Sequence, residues 1–140
     1  MREAVLDASV VLKWFRSQGE RYAVEAQALR AEYEAGDLLV FAPPLLGLEV
    51  INVAGRRWSW EKAGLVSLAA ALDQLGFLPR GPELHRVARW TARGLTAYDA
   101  AYLGVAEAEG VPLITDDDLI LAVAPEIAIP LAEAAGTSSL

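Results

Sequence analysis

The sequence contains no cysteine and only one histidine among its 140 residues. Without thiols the chain cannot form disulfide bonds or zinc–thiolate sites, and it has no cysteine nucleophile. His85 is the only candidate for imidazole chemistry. Because no motif of partner residues surrounds it, we interpret His85 as a structural or surface residue. Metal binding or acid–base chemistry in this chain must therefore depend mainly on oxygen atoms.

Long apolar runs are absent as well. Stretches such as 43–48 and 69–72 are much shorter than the roughly 20 apolar residues that span a bilayer. No charged-then-apolar signal peptide opens the sequence, so we expect a cytoplasmic protein that does not enter the membrane. No glycine-rich phosphate-binding loop follows a predicted strand, which argues against the nucleotide-cofactor folds.

Positive charge is scarce. The 12 lysine and arginine residues are outnumbered by 19 aspartate and glutamate residues, and the net charge is −7. A chain of this charge does not coat nucleic acid by bulk electrostatics, so any contact with a polynucleotide must be local. Hydrophobic residues make up 54% of the sequence, enough for a packed core. We expect one domain over residues 1–135 and a flexible tail over residues 136–140.

Apolar runs of strand length alternate with segments of helical periodicity along the whole chain. We predict strands at 4–6, 38–42, 76–78, 111–114 and 127–129, and helices at 9–15, 20–35, 44–57, 60–75, 82–93, 97–109 and 117–124. This alternation is typical of a mostly parallel sheet with helices on both faces. The sequence therefore predicts a three-layer α/β/α domain with a short sheet of roughly five strands.

Acidic residues follow two of the predicted strands directly. Asp7 comes after the first strand, and the consecutive Asp116, Asp117 and Asp118 come after the fourth. The carboxyl ends of parallel strands are where open α/β sheets bind their ligands. Helix capping is the alternative role for Asp7, and we expect one residue of the aspartate triplet to cap the last helix.

Two further carboxylates lie on predicted helices that begin at the same edge of the sheet. Glu49 has apolar residues four positions before and after it, so its side chain is expected to face the interior or a cleft, unless it reaches solvent from the rim. Asn52 is a candidate to orient it. Asp99 lies in the first turn of a helix, where the helix dipole alone favours a carboxylate, and Thr96 is a candidate cap for that helix.

The spacing between these acids is too long for a local metal-binding loop, so only the fold can bring them together. An all-oxygen site suits a hard divalent cation, and Mg²⁺ or Mn²⁺ is the expected metal. Ions of this kind activate water and stabilise charge on a phosphodiester during hydrolysis. The pattern of acids therefore indicates metal-dependent phosphodiester hydrolysis.

Four segments carry these acids in order: VLDASVV at 5–11, LEVINV at 48–53, LTAYDAAYL at 95–103 and PLITDD at 112–117. Together they resemble the motifs of the PIN-domain ribonucleases, in particular the small VapC-type toxins of prokaryotic toxin–antitoxin pairs, over nearly the whole chain. The resemblance implies that the catalytic, metal-binding acids are Asp7, Glu49, Asp99 and Asp117, with supporting roles for Ser9, Asn52 and Thr115. It favours Asp117 over Asp116, and the triplet leaves that choice open.

The resemblance also implies an activity and partners. The chain would be a Mg²⁺- or Mn²⁺-dependent endoribonuclease that leaves a 5′-phosphate and a 3′-hydroxyl. It would be the toxin of a type II toxin–antitoxin system, held inactive by an antitoxin that covers the cleft. Members of this family often form homodimers.

Several arginines are candidates for contact with RNA. Arg86, Arg89 and Arg93 are spaced three and four residues apart and share a helix face. They are suited to clamp phosphates, as is Arg56 near the end of the Glu49 helix. The alternative for all four is a solvated face on which the arginines pair with nearby glutamates.

Trp58 and Trp60 flank a predicted helix junction. They belong either to the core or to an interface with a second copy or an antitoxin, and the enrichment of tryptophan at interfaces favours the second. A catalytically inactive PIN-like interaction module is the main alternative function. A phosphoryl-accepting receiver domain is disfavoured, because receivers use a lysine after a late strand and the only lysines here are Lys13 and Lys62.

Overall fold

The structure is a computed structural model that describes residues 1–134. The predicted tail, residues 136–140, lies outside the described residues. The elements are β1 (Arg2–Leu6), α1 (Ala8–Phe15), α2 (Ala23–Glu34), β2 (Leu38–Ala42), α3 (Leu45–Arg56), α4 (Lys62–Gln74), β3 (Leu78–Pro79), α5 (Leu84–Ala92), α6 (Ala97–Glu109), β4 (Leu113–Thr115), α7 (Asp118–Val123), β5 (Ala128–Pro130) and α8 (Leu131–Ala134).

The five strands form one parallel sheet in the order β3-β2-β1-β4-β5. β1 lies at the centre, where Ala4 pairs with Val40 of β2 and Leu6 pairs with Ile114 of β4. The prediction of an α/β fold with a short parallel sheet is confirmed. The chain first builds the half of the sheet on one side of β1 and then returns to add β4 on the other side, so the direction of winding reverses between β1 and β4.

Both faces of the sheet are covered. Successive side chains of a strand point to opposite faces, yet Ala4, Val5 and Leu6 are all at most 1% exposed. A continuous apolar strand is the pattern of a parallel sheet buried between helical layers. The sequence of β1 therefore requires a layer of helices on each face of the sheet.

Helix α6 is the central helix of the core. It packs against β1, β2 and β4 and against α5, and every residue from Ala100 to Ala106 is buried. A helix that is apolar on all sides must be enclosed by other elements, and α6 ends at Gly110 in the left-handed conformation that favours glycine. In residues 1–134, no helix combines the length and the apolar composition needed to cross a membrane.

The predicted helices at 20–35 and 60–75 were wrong at their starts. Tyr22 adopts a left-handed backbone conformation with φ of 58°, so α2 begins only at Ala23. Glu61 has an extended backbone conformation, so α4 begins only at Lys62. Periodicity does not report such local conformations, because apolar spacing continues through them. The short helix α8 was not predicted.

Candidate metal site

Asp7 lies at the carboxyl end of the central strand and is only 4% exposed. It occupies the position before α1, but its carboxylate accepts hydrogen bonds from two hydroxyls: Ser9 Oγ at 2.6 Å and Thr115 Oγ1 at 2.5 Å. Burial raises the pKa of Asp7 to about 7, the two hydroxyls act against that rise, and the charge of Asp117 adds to it. Asp7 is therefore a buried carboxylate held by neutral donors.

Both hydroxyls also connect Asp7 to the turn after β4. Ser9 Oγ accepts a hydrogen bond from the backbone N–H of Asp116 at 2.9 Å, and Thr115 Oγ1 accepts one from the N–H of Asp117 at 3.0 Å. The polar contacts between β1 and β4 thus continue the strand pairing past the ends of the strands. The turn is fixed relative to Asp7 because each hydroxyl both donates and accepts.

Glu49 projects from α3 and is partly buried. Its Oε1 accepts a hydrogen bond from the hydroxyl of Tyr102 on α6 at 2.5 Å. Burial raises the pKa of Glu49, the Tyr102 hydrogen bond lowers it, and the charge of Asp99 raises it. Asn52, the residue predicted to orient Glu49, is exposed and makes no hydrogen bond to it. The donor comes from another helix and not from the next turn of α3, and a supporting role for Asn52 stays a prediction.

Asp99 lies in the first turn of α6 and is partly buried. Its backbone N–H donates to Thr96 Oγ1 at 3.0 Å, so Thr96 is the helix cap that the sequence predicted. Burial raises the pKa of the Asp99 carboxyl, the charge of Asp117 raises it further, and a hydrogen bond between the Thr96 side chain and this carboxyl lowers it. Asp99 is thus coupled electrostatically to Asp117 on one side and to Glu49 on the other.

The three consecutive aspartates after β4 have different partners. Asp116 forms ion pairs with Lys13 and Arg21, both at 3.0 Å, and Asp118 forms one with Arg21 at 3.3 Å. Asp117 caps α7, with Oδ1 accepting from the N–H of Ile120 at 3.0 Å. Asp117 is the member of the triplet that forms no ion pair with any residue in the described part of the chain.

The carboxylates of Asp7, Glu49, Asp99 and Asp117 share one electrostatic environment. Within residues 1–134 none of the four forms an ion pair with a basic side chain. The charge of Asp117 raises the pKa of Asp7 and of Asp99, and the charge of Asp99 raises the pKa of Glu49. Such acids repel one another unless a cation joins them. Hard oxygen donors with uncompensated charge fit a divalent cation such as Mg²⁺ or Mn²⁺.

Among the described residues, no three histidine, cysteine, aspartate or glutamate side chains are close enough together to hold a metal ion in these rotamers. Pairwise effects on pKa link these acids, and their convergence on one metal ion stays a prediction. Asp7 is held by two hydroxyls and Glu49 by one.

Beside Glu49 lies an apolar surface cleft of about 540 Å³. Its lining comes from α3 and from the start of α6, and it consists of Leu45, Leu48, Glu49, Ile51, Asn52 and Tyr98. Leu48 is 72% exposed and Tyr98 is 66% exposed. The edge of the acidic site is therefore apolar and accessible.

Three of the four arginines predicted to bind RNA have acidic or carbonyl partners. Arg86 pairs with Glu83 at 2.8 Å, Arg89 lies 3.6 Å from Glu107, and Arg93 donates to the carbonyl of Val123 at 2.8 Å and pairs with Glu126 at 3.5 Å. These contacts are those of the solvated, ion-paired face that was the alternative. Arg56 is exposed at the end of α3 and forms no ion pair with a described residue.

Trp58 and Trp60 contact each other, with ring centroids 5.3 Å apart, and both are partly buried against the core. The guanidinium of Arg16 lies over the Trp58 ring at 5.1 Å. Part of each indole thus packs against the core, and an interface role for the accessible parts stays a prediction. His85 is exposed on α5, the surface position that the sequence analysis favoured.

Sequence reasoning missed Tyr102, Lys13 and Arg21. Tyr102 is only 1% exposed and its pKa is strongly raised, first by burial and then by the hydrogen bond to Glu49 and the charges of Asp7 and Asp99. A signal was present: Tyr102 lies three residues after Asp99, and a tyrosine inside an otherwise apolar helix needs a hydrogen-bond partner when buried. A lysine near the end of the apolar helix α1 was a comparable signal for Lys13.

A PIN-domain family model matches residues 4–126. The chain is 32% identical over 130 residues to Ribonuclease VapC1 of Mycobacterium tuberculosis, an alignment that covers 89% of this chain and 92% of that protein. A crystal structure of PAE2754 from Pyrobaculum aerophilum matches with a TM-score of 0.67 and 26% identity, over 96% of this chain and 95% of that one. That of Mycobacterium tuberculosis VapC20, a sarcin-ricin loop cleaving toxin, matches with a TM-score of 0.65 and 17% identity, over 85% and 93%, and shows similarity of fold.

Proposed function

The chain belongs to the PIN-domain family, and we propose that it is a divalent-metal-dependent endoribonuclease that acts as the toxin of a type II toxin–antitoxin pair. The observation that carries the proposal is the set of four coupled carboxylates at the reversal between β1 and β4, which no basic side chain of the described residues neutralises. Ligand sites of open α/β sheets lie at such reversals. Four unneutralised acids there provide a reason for a cation to bind.

Asp7, Glu49, Asp99 and Asp117 would hold the cation. When bound, Mg²⁺ or Mn²⁺ supplies Lewis-acid stabilisation of charge on the phosphodiester and lowers the pKa of water. The protein residues contribute position: Ser9 and Thr115 fix the Asp7 carboxylate, and Tyr102 fixes one oxygen of Glu49. Because Asp7 is buried, its charge is little screened by solvent and acts strongly on a cation nearby.

The substrate we propose is RNA that is single-stranded or looped at the cleavage site. Bases of loops are unstacked and accessible to protein side chains, whereas the bases of an RNA duplex are not. The accessible apolar cleft between Leu48 and Tyr98 lies directly beside Glu49 and would admit an unstacked base. One relative in the fold comparison is described as cleaving the sarcin-ricin loop, which supports a looped RNA as the class to test first.

An antitoxin protein is the proposed regulatory partner, and a homodimer is the proposed assembly. The relatives named VapC support the first. The exposed Leu48 and Tyr98 and the accessible parts of Trp58 and Trp60 are surfaces that such contacts would bury. Acting on cellular RNA, the protein would work in the cytoplasm.

The experiment is an RNA cleavage assay with three proteins: wild type, Asp7→Asn and Asp73→Asn. Asp73 is exposed on α4 and serves as the matched control. Each protein is incubated with total RNA and with a sarcin–ricin-loop oligonucleotide, in Mg²⁺, in Mn²⁺ and in EDTA. We expect cleavage by wild type and Asp73→Asn with metal, none in EDTA, and a loss of at least about 100-fold in Asp7→Asn.

Cleavage that persists in EDTA or in Asp7→Asn would refute a metal-dependent reaction at these acids. If wild type cleaves none of the RNAs in any condition, the catalytically inactive interaction module becomes the better reading. Mapping the ends of the products adds a second criterion, since the proposed hydrolysis leaves a 5′-phosphate.

A further inference from the structure

Lys13 is a buried cation at the end of the apolar helix α1. Its side chain is 4% exposed, and its Nζ lies 3.0 Å from Asp116 Oδ2 and 3.1 Å from Glu20 Oε1. A buried ammonium group is costly unless carboxylates surround it. The two acids satisfy that requirement, and one of them belongs to the turn that carries Asp117.

Arg21 binds the same turn from the solvent side. Its Nε donates to Asp116 Oδ2 at 3.0 Å, and its Nη2 donates to the backbone carbonyl of Asp116 at 3.1 Å and to Asp118 Oδ1 at 3.3 Å. Ser9 accepts from the N–H of Asp116. The N–H, the carbonyl and the carboxylate of Asp116 are therefore all engaged, and the residue cannot turn toward the acidic site without breaking these contacts.

Lys13 and Arg21 form ion pairs with two of the three consecutive aspartates and not with the third. Asp116 and Asp118, on either side of Asp117, form ion pairs with Lys13 and Arg21, while Asp117 forms none within the described residues and raises the pKa of Asp7 and Asp99. Three adjacent carboxylates would otherwise compete for one cation, because each is a suitable ligand. The structure thus contains a physical reason for the choice that the sequence left open.

We propose that Lys13 and Arg21 are positioning residues that engage Asp116 and Asp118, so that Asp117 alone of the three is available to the divalent cation. The proposal rests on the metal-dependent function above, and it adds which basic residues determine the aspartate that binds the metal. Lys13 and Arg21 act through the aspartates and contact neither the metal nor the RNA.

The test is a double-mutant cycle on Mn²⁺ affinity, measured by isothermal titration calorimetry with Mn²⁺ alone. In the wild-type background, Asp117→Asn is expected to weaken binding by more than about tenfold and Asp116→Asn by less than about threefold. In the Lys13→Met background, the Asp116 carboxylate loses one of its two cationic partners, so it can compete with Asp117 for Mn²⁺. There Asp117→Asn is expected to cost less than about threefold.

Lys62→Met is the matched control, because Lys62 is the other lysine of the sequence and is exposed on α4. In that background the cost of Asp117→Asn should equal the wild-type cost. An equal cost in the Lys13→Met background would overturn the proposal, as would an Asp116→Asn effect as large as that of Asp117→Asn.

Arg21→Gln provides a second background if Lys13→Met does not fold, since the Arg21 side chain is 53% exposed and its loss leaves the core intact. The cost of Asp117→Asn should fall there as well, by a smaller factor, and an unchanged cost counts against the proposal. RNA cleavage by the same proteins separates the two claims. Cleavage without the predicted coupling removes the positioning role alone, whereas coupling without cleavage removes the nuclease.

Discussion

The buried hydroxyl of Tyr102 donates a hydrogen bond to Oε1 of Glu49, although 53 residues separate the two in sequence. The bond joins the central helix α6 to the acid of α3. It occupies one oxygen of the carboxylate and leaves the other available to a cation. Tyr102 keeps its proton because burial and the neighbouring acids raise its pKa, so the hydroxyl remains a donor.

Replacing Tyr102 with phenylalanine removes this donor and retains the ring. We expect Mn²⁺ affinity to fall by about tenfold and the free energy of unfolding to fall by about 1 kcal/mol, as measured by calorimetry and urea denaturation. Tyr33→Phe is the matched control, because the Tyr33 hydroxyl donates to the carbonyl of Leu75 and not to an acid of the site. Equal Mn²⁺ affinities in the two variants would contradict the role of Tyr102.

The raised pKa of Asp7 predicts how stability depends on pH without metal. The folded protein holds the proton up to a pH of about 7, whereas the unfolded chain releases it near 3.8. Between these values the folded state binds more protons, so the free energy of unfolding decreases as pH rises, by at most on the order of 4 kcal/mol from this group. Urea denaturation in EDTA from pH 4.5 to 8 measures the slope.

Asp7→Asn has no such proton and should lack this part of the slope. Relative to wild type, the variant is therefore expected to gain stability as pH rises. Parallel curves for the two proteins would show that Asp7 titrates alike in the folded and unfolded states.

Protons and metal compete for Asp7. Because the carboxyl must lose its proton to bind a cation, Mn²⁺ affinity is expected to rise by up to about tenfold per pH unit below pH 7 and to level off above it. Titrations at pH 5.5, 6.5 and 7.5 provide the profile. Asp73→Asn should reproduce it, and an affinity independent of pH would place the cation away from Asp7.

Thr115 is fully buried and serves both Asp7 and Asp117. Thr115→Val keeps the shape and removes the hydroxyl, and we expect a loss of about 1–3 kcal/mol in the free energy of unfolding. Without this donor the pKa of Asp7 should rise further, which moves the pH profile of Mn²⁺ affinity to higher pH. Thr115→Ser, which retains the hydroxyl, should keep the wild-type profile; if it shifts as far as the valine variant, the hydroxyl is not the cause.

Much of the architecture could be predicted because the signals are local. Helix α6 was predicted with the bounds that it has, since its apolar run is closed by Thr96 at one end and Gly110 at the other. The motifs around the four acids also indicated the PIN-domain family, which the comparisons confirm. Their assignment as metal ligands remains a prediction that the variants above address.

The contacts that organise the site could not be predicted in the same way. Ion pairs such as that of Arg21 with Asp116 join residues 95 positions apart, and their partners depend on side-chain directions that appear only after the sheet has formed. The same holds for Tyr102, because the direction of its side chain on α6 determines that its hydroxyl bonds to Glu49. Sequence patterns identify which residues carry charge, and packing decides which of those charges is left without a counter-ion.

The pairing of β4 with β1 has a consequence for the order of events during synthesis. Leu6 and Ile114 are neighbours in the sheet. Asp7, which follows Leu6, leaves the ribosome before the aspartate turn, because that turn is translated more than a hundred residues later. A nascent chain that lacks residues 113–118 has an incomplete set of acids. Under the proposed function, a growing polypeptide would therefore cleave no RNA until this turn has been made.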